Sequence, residues 1–560
     1  MDKRLSIALL LTALVVAVTP ILFPTPKRTP AATSTGQDSL AVDSGRTQSS
    51  VSQPVIGVVP PLTPPIEDTA ATATPVSQTG LTTPKLTTVS SVKSMYQFTN
   101  LGAAPVSVSF QEYKSLAAGR PGPINIRVPG EALLKYSLVM QQDTIALSRI
   151  PFEVSQSAST TGESVVTYRA PVGNASVVIS YTVVPDRYVL RVAGRVEGAT
   201  RPAYLLIELP STLPPTEADT VGDLRTLSYS FKQTHDNARG VPFGKLDPGE
   251  KKLEPGPLTW AAVRNKYFVV GLVNLAGSTF EEITLTGGAR TSKTVTHASA
   301  TAVKALKDGV FAFDMYAGPQ QSTQLIAMGR DFDHVNPYGW SFLQPIVNPI
   351  AALCIKLLLW LHDNLKISYG WVLILFGVFV RIALWPLNQS AMRSSLKMQE
   401  IQPRLADVQK KYKDKPEKQR EEMMKVYKEA GASPFTALSG CLPMLIPMPV
   451  LFALFFVFQN TIEFRGVPFM WLGDISVKDP LYILPVLMGA SMYVLSWIGL
   501  RNAPPNPQAK MMSYMFPVMM TFVLANMASG LNLYYTAQNI AALPQQWLLA
   551  RERLKARQVK

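Results

Sequence analysis

A single arginine stands where a charge is least welcome. Arg381 lies in Phe379-Val380-Arg381-Ile382-Ala383, near the middle of the apolar stretch 371–388. A guanidinium at the centre of a bilayer costs about 2.5–3.5 kcal/mol on insertion scales. Three arrangements lower that cost: a buried carboxylate partner, snorkelling to an interface, or a water-filled cavity. The other apolar stretches, 441–462, 481–500 and 511–549, contain no Asp or Glu, so an intramembrane ion pair has no second member. Snorkelling from mid-span is a long reach for one side chain. A hydrated cavity remains, and in it the arginine can meet polar or anionic groups.

The neighbouring residue types fit that expectation. Helical spacing sets Gly377, Arg381, Trp385 and Asn388 near one face. Gln459, Asn460 and Thr461 add neutral polar groups to one further stretch, and Asn532, Thr536 and Asn539 to another. Singly, such side chains make inter-helix hydrogen bonds; six of them beside a lone cation read as a hydrated groove. Proton- or cation-coupled transport needs titratable relays within the membrane, and these stretches carry none. No phosphate-binding loop is present for an ATP-driven pump, and residues 95–330 hold no G-x-S-x-G or H-E-x-x-H. Two cysteines and four scattered histidines make a disulfide scaffold or a zinc enzyme a poor fit. No metal, no cofactor and no enzymatic acid, base or nucleophile is expected.

The elements that must hold these residues follow from composition. The chain has 560 residues, 47% hydrophobic and 16% charged, with 53 Lys+Arg against 38 Asp+Glu, a net charge of +15. Residues 1–335 carry 30 basic and 26 acidic side chains (+4); residues 336–560 carry 23 and 12 (+11). The excess positive charge therefore sits in the more apolar part, as in a membrane protein with basic loops on one side. Met1-Asp2-Lys3-Arg4 precedes an uncharged run from Leu5 to Phe23, long enough for a membrane anchor. No A-x-A cleavage site adjoins it, which favours an uncleaved anchor (1–23) over a signal peptide. Residues 24–94 are rich in Pro, Thr and Ser and read as a linker. Residues 95–335 show short alternating runs such as Val177–Val184 between turn residues, the pattern of an antiparallel β-sandwich. His235 beside Asp236 reads as a solvated turn.

Residues 336–368 read as an amphipathic helix in the membrane interface, interrupted by Pro345 and Pro349, with a short spanning helix as the alternative. Spans are expected at 371–388, 441–462, 481–500, 511–526 and 531–549. With the anchor these make six. The 393–430 segment has 11 basic and 7 acidic residues, and the 551–560 tail has five basic and one acidic. Both therefore belong in the cytoplasm, with the N-terminus, and the β-sandwich belongs outside. Ile401, Leu405, Val408 and Tyr412 form a 4,3,4 seam, and Pro416 is suited to starting a second helix, so 392–430 reads as a helical hairpin. Met511, Met512, Met515, Met519 and Met520 crowd one span, either as lipid-facing residues or as a plastic surface for varied partners. Cys354 and Cys441 fall on opposite faces in this topology, too far apart to pair.

At these residues the sequence resembles the YidC membrane protein insertase family of the Gram-negative type, with a large periplasmic domain. The resembling run extends from Tyr369 to about Leu549. It includes Tyr369-Gly370-Trp371, Val380-Arg381, Pro386-Leu387, Lys397-Met398 with Ile401-Gln402-Pro403, the proline-rich Cys441–Pro449, Asp479-Pro480-Leu481-Tyr482, and Ser529-Gly530-Leu531 with Tyr534-Tyr535. Trp260, Tyr267-Phe268 and Gly318-Pro319 are similar to the family's periplasmic domain. The resemblance implies a polytopic α-helical membrane protein with a five-helix insertase core (369–549). It also implies a groove around Arg381 open to cytoplasm and lipid, with Tyr535 near the path of the inserted chain. The hairpin residues Lys397, Met398, Gln402, Pro403 and Tyr412 would serve client capture, and the basic tail 550–560 would meet the ribosome. Implied partners are nascent inner-membrane proteins, the Sec translocon, the ribosome, the signal-recognition-particle receptor and membrane lipids, with no DNA. Gly377 departs from the small polar residue often found one turn before the arginine. Two other readings stay open on the residues alone: an anion channel or carrier using Arg381 for selectivity, and an envelope scaffold tethered by inert helices.

Overall fold

Alternation builds the first half of the molecule. In the computed structural model, residues 84–560 are described, apart from 141–142, 159–162, 199–201, 291–293, 337–343, 387, 390–400, 402–403, 414, 430–447, 502–506 and 559–560. The expected anchor 1–23, residues 24–83 of the expected linker, and Lys397, Met398, Gln402 and Pro403 lie outside the described residues.

Strands Ala203–Leu209 and Ala298–Ala305 alternate buried and half-buried positions along their length, the signature of a sheet with one covered face. Phe268–Asn274 is buried at every position, because both of its faces are covered. A four-stranded sheet runs Leu86–Ser90, Ser94–Thr99, Ala104–Lys114, Pro123–Arg127 in spatial as in chain order. A 14-stranded sheet forms the rest. Ala203–Leu209 lies between Lys135–Met140 and Ala298–Ala305, and Val310–Pro319 between Phe268–Asn274 and Val189–Glu197. Neighbouring strands run antiparallel. The two sheets share one core: Phe98 lies 4.9 Å from Tyr181, and Phe110 stacks 5.6 Å from Phe268. This is the expected antiparallel β-sandwich. It starts earlier than the expected boundary at 95, with Leu86–Ser90 paired to Ser94–Thr99. Five residues with Thr87 and Val89 inward are too short an alternation to stand out from a Thr/Ser-rich flank.

The second half is helical: α1 (Gln344–Leu365), α2 (Tyr369–Ala383), α3 (Pro416–Glu429), α4 (Met448–Asn460), α5 (Ile483–Leu500), α6 (Pro507–Leu524) and α7 (Ser529–Gln558). Among the described residues, α1 and α5 are long and apolar enough to cross a bilayer, while α2, α4 and Ser513–Leu524 are apolar but shorter. α1 is unbroken, although Pro345 and Pro349 stand in its first turns. Pro345 occupies a position whose N–H has no helical partner, and Pro349 removes only the bond to the Pro345 carbonyl.

Met511, Met515, Val518 and Phe522 are exposed along one face of α6, at the 4,3,4 spacing of one side of a helix. A segment at 404–411 and α3 form the hairpin, closed by Ile401, Leu405 and Tyr427 with Met423 and Val426 against them. Tyr412 sits half-buried at the turn.

Candidate functional site

Arg381 lies in the last turn of α2, which ends at Ala383 with Leu384 as its cap. Pro386 accounts for the interruption there, because it lacks the N–H for the Ile382 carbonyl and its ring crowds that group. Helical turns resume at 385–386 and 388–389, with Asn388 N donating to the Leu384 carbonyl at 2.9 Å, so Arg381 stands just before an interruption in a longer helical run. The side chain is 8% exposed. Its Nη2 donates to Oε1 of Gln545 at 2.8 Å, and its Nε has no partner. Among the described residues no carboxylate pairs with it. Gln545 is fully buried; its Nε2 donates to the Trp385 carbonyl and to Oε1 of Gln389, both at 3.3 Å. Accepting from the guanidinium through one atom and donating through the other fixes the orientation of the amide.

α7 explains why these groups meet. Tyr534, Gln538 and Gln545 recur at spacings of four and seven, one face of a helix. That face lies on α2: the Tyr534 ring is 5.7 Å from Phe376. A Cβ on Gly377 would meet the Tyr534 carbonyl at 3.0 Å and Ala537 Cβ at 3.3 Å. Contacts advance along both helices together, from Phe376 with Tyr534 to Arg381 with Gln545, so α2 and α7 run in the same direction. Gly377 thus lets the backbones of α2 and α7 approach closely.

The opposite side of α7 carries the residues expected beside Arg381. Asn539 donates to Ser491 Oγ of α5 at 3.0 Å. Asn532 donates to the Leu524 carbonyl of α6 at 2.9 Å, and the Thr536 hydroxyl donates back to the Asn532 carbonyl at 2.7 Å. Asn539 and Asn532 thus bind α7 to α5 and α6, while Thr536 bonds within α7. Tyr535 is only part-buried and lies within electrostatic reach of Arg381. Asn388 is buried beyond the end of α2 with neither amide atom partnered. Orphaned atoms recur nearby: Asn532 Oδ1, the Tyr534 hydroxyl and Gln538 Nε2. Buried polar atoms without partners each cost about 1–3 kcal/mol when dry, and ordered water relieves that cost.

Gln459 and Asn460 do not join this set. Gln459 is exposed at the end of α4, and Asn460 and Thr461 lead into a short turn, Ile462–Phe464. Ile462 enters the core of the β-sandwich, and Ser322 N donates to Glu463 Oε1 at 3.1 Å. Next comes a second buried arginine that sequence reasoning missed. Arg465 Nε donates to Glu217 Oε1 at 2.8 Å, with side chains 7% and 6% exposed. Its Nη2 donates to the carbonyls of Lys114 and Thr216. Thr216 N donates to Asp223 Oδ2 at 2.7 Å, extending the network into the sandwich. Burial pushes the Glu217 carboxyl above its ordinary range, against the pull of Arg465; burial does the same to Asp223. No group of three or more His, Cys, Asp or Glu could hold a metal ion among the described residues.

Two family profiles divide the chain as the fold does. The one described as YidC periplasmic domain matches residues 87–353, and the one described as 60Kd inner membrane protein matches residues 360–557. The chain belongs to the YidC family. A YidC-family relative named membrane protein insertase YidC, from Chloroherpeton thalassium, is 33% identical over 351 residues, covering 59% of this chain and 58% of its own length. One of the same name from Chlorobaculum parvum is 31% identical over 403 residues, covering 66% and 65%. The match thus spans about three-fifths of the first of these relatives and just under two-thirds of the second. Among solved structures, an active YidC insertase with its first transmembrane domain resolved is 18% identical, covering 83% of this chain and 92% of that one with a TM-score of 0.33.

Proposed function

We propose that this YidC-family chain is a membrane protein insertase and chaperone. It receives nascent inner-membrane proteins, alone or with the Sec translocon, in a hydrated groove around Arg381. The observation that carries this reading is the α2–α7 seam. Among the described residues the buried guanidinium there has one neutral partner, Gln545, and the same two helices and the segment after α2 carry buried polar atoms without partners on Asn388, Tyr534 and Gln538. Water fills such a site at little cost and leaves as readily. A polar segment of a client takes the place of that water, which shortens the apolar distance it must cross. The client's hydrophobic segment meanwhile moves into lipid. No covalent bond is made or broken.

The parallel course of α2 and α7 supports the six-span topology, in which both enter from the outside. The β-sandwich is then periplasmic, and both termini and the hairpin are cytoplasmic, facing ribosome, targeting receptor and anionic lipid. A photocrosslinker at Tyr535 or Asn388 should label a stalled single-span nascent chain; labelling of lipid alone would refute the groove. Arg381→Ala should reduce insertion about tenfold or more, while Arg381→Lys retains most of it. A lysine restores the charge, and the single bond to Gln545 makes no use of the guanidinium fork. Equal loss in the two variants contradicts a role for charge.

A further inference from the structure

A cavity of about 650 Å³ lies where the β-sandwich meets α1 and the end of α4, within the range of ligand sites. Its polar groups are mostly acceptors without donors. Gln320 Nε2 donates to the carbonyls of Asn265 and Phe268, which fixes its amide and leaves Oε1 unpartnered. Glu463 Oε1 accepts from Ser322 N, leaving Oε2 free. Oδ1 of Asn348, both amide atoms of Asn336 and the Thr461 hydroxyl are also orphaned. Gln320, Asn336 and Thr461 are only 4%, 5% and 3% exposed, so solvent at the surface does not serve them. Asp333 also lines the cavity, giving two acids to the one lysine, Lys356.

The α1 wall is amphipathic along its axis. Asn348 is followed on the same side by Pro349, Ala352 and Ile355, and then by Lys356. Asn348 and Lys356 are about 12 Å apart along the helix at 1.5 Å per residue. Leu325 and Ile326 add apolar surface from the sandwich side. An acceptor-rich end with a carboxylate, an apolar wall and a separate cation together describe the complement of an amphiphile.

We propose that this cavity binds the headgroup of an aminophospholipid from the outer face of the membrane. The primary ammonium donates to Glu463, Gln320 and Asn336. The phosphate turns toward Lys356, and an acyl chain runs along Ala352 and Ile355. A primary ammonium supplies three N–H donors, whereas the quaternary ammonium of a choline supplies none. The site would tether the β-sandwich to lipid beside α1. It depends on α1 meeting the membrane and not on the insertase reading.

The test uses the full chain, purified in detergent and titrated with lyso-phosphatidylethanolamine, lyso-phosphatidylcholine and lyso-phosphatidylglycerol, with bound lipid counted by native mass spectrometry. The ethanolamine lipid should bind about tenfold more tightly than the other two, since a hydrogen bond to a charged group is worth about 1.5–3 kcal/mol. Glu463→Gln should abolish that preference, because the amide can still accept from Ser322 but carries no charge. Ala352→Trp, which fills the cavity from an exposed helix position, should abolish binding itself. Equal binding of the three lipids, or a preference that survives both variants, overturns the proposal. So does tighter binding of an apolar peptide tipped with lysine, which assigns the cavity to a client chain.

Discussion

Two buried arginines, Arg381 and Arg465, are held in opposite ways. Arg465 has a carboxylate at 2.8 Å and two backbone carbonyls, and its network continues into the sandwich through Thr216 and Asp223. Among the described residues Arg381 has one amide oxygen as partner and an idle Nε. A saturated network resists change, because removing any member leaves another buried and unsatisfied. An unsaturated one exchanges partners at small cost. The first therefore fixes the loop after α4 to the β-sandwich, and the second suits a site whose occupants come and go.

The largest separation between the two should appear on deletion of each cation. Arg465→Ala should lower unfolding stability by about 3–5 kcal/mol, the cost of stranding a buried carboxylate, measured by denaturant unfolding in detergent. Arg381→Ala in the same assay should lose less, about 1.5–3 kcal/mol, the worth of one hydrogen bond to a charged group. Comparable losses would erase the contrast. Next is the seam itself. Gly377→Leu should destabilise by about 1–3 kcal/mol through overpacking against Tyr534 and Ala537; a neutral result would mean that α2 and α7 part easily. Gln545→Leu should cost less than about 1.5 kcal/mol, since water replaces the lost amide in a hydrated seam. A loss of several kcal/mol would show the seam to be dry.

The smallest effect concerns a third buried cation. Lys304, inside the sandwich, donates to neutral groups, Asn274 Oδ1 at 2.6 Å and Ser278 Oγ at 2.7 Å. Burial pulls its ammonium down to about 8. The unfolded lysine titrates near 10.4, so between these values the folded protein holds fewer protons than the unfolded one. Stability should rise as pH climbs from about 8 to about 10.4, and Lys304→Met should flatten that rise in thermal unfolding.

How much of this was legible in the sequence depended on how local each signal is. Arg381 stood out because one charge interrupts an apolar run. The sandwich was legible from alternation, which a strand carries within itself. Gln545 was passed over because Pro544-Gln545-Gln546 near the end of a span reads as an interface. Its spacing of seven from Gln538 was the available signal, and it becomes meaningful only when α2 is known to be the neighbour. Glu217 and Arg465 are separated by 248 positions, and no periodicity links them. The polar residues of α4 and α7 looked like one groove because composition records polarity without direction; the structure sends Asn532 and Asn539 toward α5 and α6, and Asn460 toward the sandwich.

α7 runs for 30 residues, about 45 Å at 1.5 Å per residue. Its last turns include the basic stretch from Arg551 onward, continuous with the turn that holds Gln545. Pro544 stands inside this helix and removes one rung of its ladder immediately before Gln545. The segment is therefore a rod with a weakened collar. Force applied to its basic end bends it at the collar, about 9 Å of shaft away from Arg551, where the amide grips the guanidinium. A load on the basic end would therefore reach the contact between Gln545 and Arg381 as leverage.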